Sequence, residues 1–384
     1  MGDFGRELKS FFRKGDMILL IMCLSISAFG CLIIASTNNW RGFTRYLIVQ
    51  IVAIGLGVMA YAIVSSIDLE FFSEHRAALV VLSMGMLLML IPFGTDLGSG
   101  NKSWLDIPLV PVNIQPAEIC KISYILITAS VMNSHQNHLS SIRSVFHMCA
   151  HLILLVGTNM VLSGDAGVSL IFVFIFVGMA FSGGVKLFWF LLGGGAIAAV
   201  GPIIWHNFMD KYQRNRILVL FDETIDPMGI KERYHMIRSL KSLTGGGMTG
   251  QGLFNGNRTQ IGALPSQHTD FIFSAIGEEL GYMGCALVII MLLALVARCI
   301  WVGTRSPDFM RRMVCFGAAA ALMFQIIINV GMCMGVMPVI GLTLPLISYG
   351  GSSVVTIYAM LGLVSGVYAR PSPRSHERYI QPPR

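Results

Sequence analysis

The feature that most constrains this chain is a succession of apolar segments, each about as long as a bilayer is thick. A helix needs about 20 mostly apolar residues to cross the hydrocarbon core. Segments of roughly this length begin near Met17, Tyr46, Ala77, Ile114, Val145, Ala166, Leu187, Asp270, Met313 and Ile347. The pattern predicts an all-α, polytopic integral membrane protein with about ten transmembrane helices.

The composition agrees with a chain that faces lipid rather than water. Charged residues make up 12% of the 384 residues, whereas a soluble domain carries about 25%. The 8 cysteines lie mostly in apolar runs and form no CxxC pair and no Cys/His cluster. The sequence therefore indicates neither a zinc site nor a disulfide framework. No small-residue cleavage site follows the first apolar segment, which we interpret as an anchor and not as a removed signal peptide.

Basic residues predict the orientation, because the short cytoplasmic loops of membrane proteins carry an excess of lysine and arginine. One basic group precedes the first helix, one flanks the loop before the ninth, and one follows the last. The groups consist of Arg6, Lys9, Arg13, Lys14, Arg298, Arg305, Arg311, Arg312, Arg370, Arg374, Arg378 and Arg384. An even number of helices places all three groups on one side, so both termini are predicted to be cytoplasmic. Arg41 and Arg45, on the opposite side, are the exception.

We expect one membrane-embedded domain over residues 1–384, with two polar segments facing outwards. Residues 94–113 join the third and fourth helices. Residues 206–268 form a large extracytoplasmic loop between helices seven and eight, longer than a plain connector. Residues 218–221, and the apolar spacing of Tyr234, Ile237, Leu240 and Leu243, predict short elements packed against the bundle. Residues 371–384 are predicted to be a disordered cytoplasmic tail.

The stretch "LPSQHTDFIFSAIGEELGYMGC" takes three carboxylates from a polar turn into an apolar helix. An ionised side chain costs at least about 2.5 kcal/mol at the bilayer centre, so these groups should face the bundle interior or water. Asp270 either caps the helix start or is held at the membrane surface to accept a proton. We expect Glu278 or Glu279 to pair with a cation on another helix.

Two other polar positions near helix starts leave alternatives open. Glu118 and Lys121 are three residues apart and share a helix face. They form either a mutually neutralising pair or a site in which Lys121 is aimed at an anionic ligand. Asp165, in "LSGDAGVSL", is either a helix cap or a cavity residue.

The region before the last helix is predicted to be irregular. Pro338 and Pro345, together with Gly341, indicate a broken, re-entrant-like connection. Irregular backbone at that depth is tolerated only where it lines a cavity or is buried in protein. Spacing alone leaves a transporter, a lipid-substrate enzyme and a channel open.

The same stretches resemble the shape, elongation, division and sporulation family, to which RodA and FtsW belong. The motifs that carry the resemblance run in order along nearly the whole chain. They are "NKSWLDI", "IQPAEICKI", "GDAGVSL", "YQRNRIL", "DPMG", "GGGMTGQGL", "ALPSQHTDFIFSAIGEELGYMG" and "NVGMCMGVMPVIGLTLPLISYGGSS". The compact termini favour the RodA-like branch.

The resemblance implies a peptidoglycan glycosyltransferase of the bacterial cytoplasmic membrane. Such an enzyme polymerises glycan strands from lipid II on the outer face for cell shape, division or sporulation. It works with a class B penicillin-binding protein and has no nucleic acid partner. The resemblance places the essential aspartate of the family on Asp270, its outer-loop tryptophan on Trp104, and its helix-four residues on Lys121 and Glu118. The chain departs from common family patterns at Asn113, Ser163, Gly164 and Ser266.

We therefore expect Asp270 to be the general base of an inverting displacement that releases undecaprenyl diphosphate. Lys121 and Arg216 would neutralise the diphosphate, and a divalent cation, Mg²⁺ or Mn²⁺, could share that task although no dedicated cage is visible. Asp165, His268 and Ser352 complete the predicted substrate-binding set. The alternative is a flippase that moves the lipid-linked precursor without catalysis, for which ionisable groups near the membrane midplane would be expected.

Overall fold

The computed structural model describes residues 15–38, 44–96, 101–106, 114–207, 209–231 and 233–370. It contains a helix at each of the ten predicted positions. In chain order these are α1 (Met17–Thr37), α2 (Thr44–Ser66), α3 (Arg76–Leu88, continued by Leu90–Phe93), α4 (Pro116–Ser134), α5 (Ile142–Ser163), α6 (Ala166–Ser182), α7 (Leu187–Asn207), α8 (Ile272–Arg305), α9 (Phe309–Cys333) and α10 (Gly351–Ala369). The observed starts lie within a few residues of the predicted ones, and α10 begins at Gly351, after the irregular segment, rather than near Ile347.

Length and composition qualify 8 of these helices to cross a membrane. The other two are α6, which is apolar but shorter, and α4, whose first turns carry Glu118 and Lys121. The prediction of an all-α polytopic membrane protein is confirmed. The cysteines are free, and six of them are buried.

At one end of the bundle, which we call the inner end, the start of α1 meets the ends of other helices. Asp16 caps α1 by accepting a hydrogen bond from the Leu19 N–H, and it forms a bidentate ion pair with Arg298 of α8. Both N···O distances are 2.9 Å. The Asp16 backbone N–H donates to Ser365 near the end of α10, and its carbonyl accepts from Tyr61 near the end of α2. The start of α1 therefore lies beside the ends of α2, α8 and α10.

The opposite, outer end carries the long loop between α7 and α8. Within this loop lie the helices Lys211–Leu218 and Tyr234–Gly245 and a 3-10 turn over Glu223–Ile225. The short element predicted around residues 234–243 is present, and it is a helix. Residues 218–221, in contrast, are the end of the first loop helix and the turn after it. Ser239 docks the second loop helix by bonding Ser274 of α8 at 2.6 Å and the carbonyl of Cys333 at 2.9 Å.

A break in α8 fixes the loop to the bundle. Gly281 has φ 68° and ψ −167°, so the helical hydrogen-bond pattern is interrupted there. Residues 247–252 enter the gap: the N–H groups of residues 251 and 252 donate to the carbonyls of Glu278 and Glu279, at 3.0 and 2.9 Å. A Cβ at Gly250 would lie 2.1 Å from the Glu279 carbonyl oxygen, which is why this approach requires glycine.

Contrary to the prediction, the two glutamates of α8 do not pair with a cation among the described residues. Glu278 accepts from the Arg258 backbone N–H at 2.6 Å and from the Thr259 hydroxyl at 3.1 Å. Glu279 accepts from Ser36 at the end of α1 and from Gln260. Within the described ranges neither glutamate has an ion-pair partner. The expectation was wrong because loop donors satisfy these carboxylates and tie the outer loop to α1 and α8.

The connection between α9 and α10 is non-helical over residues 334–350, as the prolines predicted. Gly335, Gly341 and Leu346 adopt positive φ. Gln50 of α2 holds the end of this segment, since its amide donates to the Ser348 carbonyl and accepts from the Gly350 N–H. The predicted re-entrant-like connection is thus observed as a fixed irregular segment at the outer end. Two short strands, Gly94–Thr95 and Trp104–Leu105, form an antiparallel pair at the same end.

Candidate active site

A cavity of about 490 Å³ opens at the outer end of the bundle, between the outer loop, the strand pair and the irregular α9–α10 connection. Its volume lies within the roughly 300–1,000 Å³ range of small-molecule pockets. Its lining includes five of the predicted site residues: Trp104, Glu118, Asp165, Arg216 and Asp270. Elements distant in sequence therefore place these side chains around one space.

Asp270 lies in the turn before α8, and its backbone and side chain have separate roles. Asn329 of α9 donates its amide to the carbonyls of Asp270, at 2.8 Å, and Leu342, at 2.6 Å. Ser348 and Tyr349 hold the two preceding carbonyls of the turn. The cap position of α8 is Phe271, without a side-chain cap. Among the described residues nothing donates to the Asp270 carboxylate, which faces the cavity. The helix-capping interpretation of Asp270 is therefore wrong.

The electrostatic surroundings make this carboxylate more basic than usual. Burial is the main cause and the nearby charge of Asp165 the second; together they raise the pKa of Asp270 to about 6, although Arg216 acts in the opposite direction. The side chain is half-buried by area, since one side faces the cavity while protein atoms surround the rest. A carboxylate with this pKa accepts a proton near neutral pH more readily than a solvated one.

Asp165 is both a helix cap and a cavity residue. One oxygen accepts from the Val168 N–H of α6 at 3.1 Å. The other accepts from Ser103 at 3.3 Å and Gln115 at 3.4 Å. Burial raises the pKa of Asp165, while the hydrogen bonds from the Val168 N–H and from Ser103 oppose the shift. Unlike Asp270, this carboxylate is committed to protein donors.

Arg216 brings a positive charge from the outer loop to the cavity. Its guanidinium donates to the Val339 carbonyl at 3.2 Å and lies 4.5 Å from the centroid of the Tyr212 ring. His235, on the second loop helix, lines the same wall and stacks on Phe271. Burial, with Arg216 as the second cause, lowers the pKa of His235. The wall thus holds the Arg216 guanidinium close to an imidazole whose pKa is lowered.

Glu118 and Lys121 form the neutralising pair, at 2.7 Å between Nζ and Oε1. Both side chains are 5% exposed, so the pair is nearly dry. Glu118 lines the cavity, whereas Lys121 lies behind it and reaches the cavity only through Glu118. The geometry places the lysine charge one step away from any ligand in the cavity.

The remaining predicted residues lie at different distances from the cavity. Trp104, in the second strand, lines it. His268 does not line it; its ring packs between Tyr46, at 4.9 Å, and Tyr349, at 5.6 Å. Ser352 is buried just behind the wall, and its neighbour Ser353 lines the cavity instead. Asn113 lies outside the described residues. Ser163 accepts from the Asp165 backbone N–H, and Ser266 lines the cavity rim.

Several lining residues were not predicted. Gln325 lies in the middle of an apolar run of α9 and is 1% exposed, and Asn329 follows it by one turn. Two amides four residues apart share a helix face. A polar pair on one face of a spanning helix was the signal that could have found them. His235 and Tyr212 offered no comparable pattern within the polar loop.

Within the described ranges no group of three His, Cys, Asp or Glu side chains could hold a metal ion. The carboxylates that line the cavity are those of Glu118, Asp165 and Asp270. Whether a divalent cation takes part stays a prediction.

Comparison with known proteins gives consistent matches over most of the chain. The family model of the FTSW_RODA_SPOVE cell cycle proteins matches residues 16–372. Peptidoglycan glycosyltransferase MrdB of Escherichia coli is 30% identical over 358 residues, which cover 92% of this chain and 93% of that protein. The probable peptidoglycan glycosyltransferase FtsW of Tolumonas auensis is 34% identical over 370 residues, with 92% and 91% coverage.

Solved structures share the fold. One chain, from a peptidoglycan synthase complex studied for the structural coordination of polymerization and crosslinking, is 28% identical with a TM-score of 0.79. The aligned part covers 92% of this chain and 97% of that chain. The crystal structure of rod shape determining protein RodA of Thermus thermophilus has a TM-score of 0.68 at 24% identity, covering 92% and 96%. At that identity the second likeness shows the fold alone.

Proposed function

Because this chain belongs to the FtsW/RodA/SpoVE family of cell cycle proteins, we propose that its outer cavity is the reaction centre of a peptidoglycan glycosyltransferase. The enzyme polymerises glycan strands for cell shape or division, as the names of its relatives support. The substrate in this proposal is lipid II, and the reaction transfers its sugar to an acceptor hydroxyl with release of undecaprenyl diphosphate.

The observation that carries the proposal is the state of Asp270. Its turn is fixed by three backbone contacts, its carboxylate faces the cavity without a donor among the described residues, and its pKa is raised to about 6. A general base needs to be positioned, accessible and close to neutral in pKa. Asp270 meets these requirements, so it is the group that takes the proton from the acceptor hydroxyl.

Arg216 is the residue placed to stabilise the leaving diphosphate. Its guanidinium is fixed at the cavity wall by Val339 and Tyr212. A preorganised cation next to a departing phosphate lowers the barrier because it is aimed at charge that develops during the reaction. Lys121 contributes through Glu118, by keeping that carboxylate from adding an uncompensated negative charge to the cavity. A divalent cation bound next to Asp270 or Asp165 would assist the same step.

The location of the ionisable groups favours chemistry on one face over transport. Asp165 caps α6, Glu118 lies in the first turn of α4, and Asp270 precedes α8. Asn329, which holds Asp270, lies 20 residues after Phe309, so at about 1.5 Å per residue it is about 30 Å from the inner end of α9. This is about one hydrocarbon thickness. Alternating access would require such groups near the midplane.

The protein is a multi-pass protein of the bacterial inner membrane, in agreement with its helices and its family. Both termini lie in the cytoplasm in this proposal, so that the cavity faces the outer surface where lipid II is consumed. The partner is a class B penicillin-binding protein, which crosslinks the new strands. The match to a chain of a synthase complex that combines polymerization and crosslinking supports this partner.

Replacing Asp270 tests the reaction. We expect Asp270→Asn to lower glycan synthesis from lipid II by at least about 10²-fold, because an amide cannot accept the proton. The purified variant, reconstituted with labelled lipid II and a partner transpeptidase, is compared by glycan gel with wild type and with Asp222→Asn. Asp222 is an outer-loop carboxylate that bonds only its own turn and does not line the cavity. Normal glycan synthesis by a folded Asp270→Asn protein would exclude the base role.

A further inference from the structure

Three side-chain oxygen atoms, on residues of the outer cavity lining that we call the floor, are buried and lack a donor among the described residues. They are Glu118 Oε2, Gln325 Oε1 and Ser353 Oγ. Each residue lines the cavity, yet their exposures are only 4%, 1% and 7%. They come from α4, α9 and α10, so no local sequence feature explains their convergence. A buried polar atom without a partner is costly unless a ligand or water satisfies it.

The position of this floor relative to Asp270 follows from α9. Gln325 lies one helical turn closer to the inner end than Asn329, on the same helix face. Asn329 donates to the carbonyl of Asp270. Gln325 therefore lies about one turn, roughly 5 Å, deeper than the level of Asp270. A ligand group that contacts Gln325 would therefore lie within about the width of one sugar ring of the Asp270 carboxylate.

The chemistry of the floor selects the class of ligand. All three atoms accept hydrogen bonds, and the oxygens of Glu118 and Gln325 can only accept, whereas the Ser353 hydroxyl can also donate. A phosphate offers only acceptor oxygens and carries negative charge, so it is disfavoured next to the Glu118 carboxylate. A cation is disfavoured because the Lys121 ammonium lies 2.7 Å from the other oxygen of Glu118 and already balances its charge. Gln325 and Ser353 are neutral. What remains is a neutral group rich in O–H and N–H donors, as a sugar ring with hydroxyl and acetamido substituents is.

We propose that Glu118, Gln325 and Ser353 form a sugar-recognition floor that binds one saccharide unit of the lipid-linked substrate. The floor hydrogen-bonds the donors of that unit and orients it beneath Asp270, while the diphosphate lies elsewhere in the cavity. This inference rests on the proposed function, because it takes lipid II as the ligand. Gln325 and Ser353 are specificity-determining residues in this arrangement.

The test compares binding with and without the sugar. Fluorescent lipid II and fluorescent undecaprenyl diphosphate are titrated against nanodisc-reconstituted wild type, Gln325→Met and Ser353→Ala. The matched control is Ser123→Ala: Ser123 is also buried, lies on α4, bonds only carbonyls of its own helix and does not line the cavity. Thermal unfolding and polymerisation are measured on the same samples.

Loss of one hydrogen bond should weaken lipid II binding about five- to tenfold in each floor variant. Binding of undecaprenyl diphosphate should stay unchanged, as should both affinities of Ser123→Ala. Because the Gln325 side-chain oxygen has no protein donor, Gln325→Met should unfold at the same temperature as wild type or higher. This combination, weaker sugar-dependent binding without lost stability, is what a purely structural residue cannot produce.

Two results would contradict the proposed sugar-recognition floor. One is an unchanged lipid II affinity in Gln325→Met, and the other is an equal loss of affinity for lipid II and for undecaprenyl diphosphate. These results are separable from failure of the proposed function. A wild type that binds lipid II but does not polymerise it contradicts the proposed reaction, while its affinity series still decides the floor. A wild type that does not bind lipid II at all contradicts both.

Discussion

At the scale of single residues, the two aspartates of the cavity, Asp165 and Asp270, differ in the hydrogen-bond donors that their carboxylates accept from. The Asp165 carboxylate accepts from a helix N–H, a serine and a glutamine, which favours its charged form. The Asp270 carboxylate has no such donors, while its backbone carbonyl is fixed by Asn329. The turn is rigid and the functional group is free, and this division suits a general base.

The pKa of Asp270 predicts a pH dependence. Because burial and then Asp165 raise this pKa to about 6, the base is protonated and inactive well below pH 6 and ionised well above it. We expect kcat/KM for lipid II to rise with pH through an apparent pKa of about 6. In Asp165→Asn the like charge is removed, so the apparent pKa should shift to lower pH. Initial rates between pH 4.5 and 8.5 provide the measurement, with Asp222→Asn as the variant whose profile should match wild type.

A profile that moves to higher pH in Asp165→Asn would contradict this electrostatic account, because the removed charge can only have raised the pKa of its neighbour. The sign is therefore the decisive part of the measurement, and the absolute activity of the variant is secondary.

The buried pair on α4 predicts a non-additive effect on stability. Lys121→Met leaves Glu118 charged and unpaired in a dry site, which typically costs about 3–5 kcal/mol. The double variant Lys121→Met with Glu118→Gln removes both charges and should recover most of that loss. Thermal unfolding of the two single variants and the double variant, in one detergent, measures the coupling. If the loss in the double variant equals the sum of the two single losses, the two side chains are not coupled and the pair does not stabilise the protein.

At the scale of elements, the break in α8 explains two glycine-rich motifs together. Gly281 interrupts the helix, and the loop residues 247–252 enter the gap and bond its free carbonyls. The glutamates that precede the break bond loop donors rather than cations. The carboxylates of the "GEELG" stretch therefore tie α8 to the outer loop and to the end of α1.

Two neighbouring glycines of that loop allow a matched test. Gly250 and Gly247 both have positive φ, but a Cβ at Gly250 would meet the Glu279 carbonyl at 2.1 Å, whereas a Cβ at Gly247 meets nothing within 4 Å. Each alanine carries the cost of a left-handed backbone, of order 1 kcal/mol, and Gly250→Ala adds the steric clash. We expect Gly250→Ala to lower the melting temperature clearly more than Gly247→Ala does. Equal melting temperatures would mean that the loop does not enter the gap.

The sequence predicted the elements well and their contacts poorly, for physical reasons. The helix positions follow from the length of apolar runs, and the irregular connection follows from Pro338 and Pro345, both of which are local properties. The partners of Glu278 and Glu279 were predicted wrongly because they depend on a loop that folds back onto α8 and on Ser36 of α1, which is distant in sequence. Gln325 and Ser353 were not predicted, because they line the cavity only when helices that are distant in sequence pack together.

At the scale of the whole molecule, the bundle has two chemically different ends. The inner end is closed by a buried ion pair between Asp16 and Arg298, and the outer end holds the cavity, the loop and the two tied glutamates. Exposed apolar side chains lie on the helices between the two ends, for example Leu56, Ile153 and Ile197. An enzyme that consumes a lipid-linked substrate at one membrane face requires this polarity.

That polarity predicts which positions reagents can reach from outside. Met228, in the outer loop, is 83% exposed, and Thr304, at the inner end of α8, is also exposed, while the native cysteines are buried or half-buried. We expect a membrane-impermeant maleimide to label Met228→Cys in intact spheroplasts and to label Thr304→Cys only after the membrane is permeabilised. Mass tagging on gels, with the wild-type chain as the background control, measures both. The reverse pattern would place Asp270 on the cytoplasmic face, where no glycan strand is assembled, and the cavity would then have to serve a different reaction.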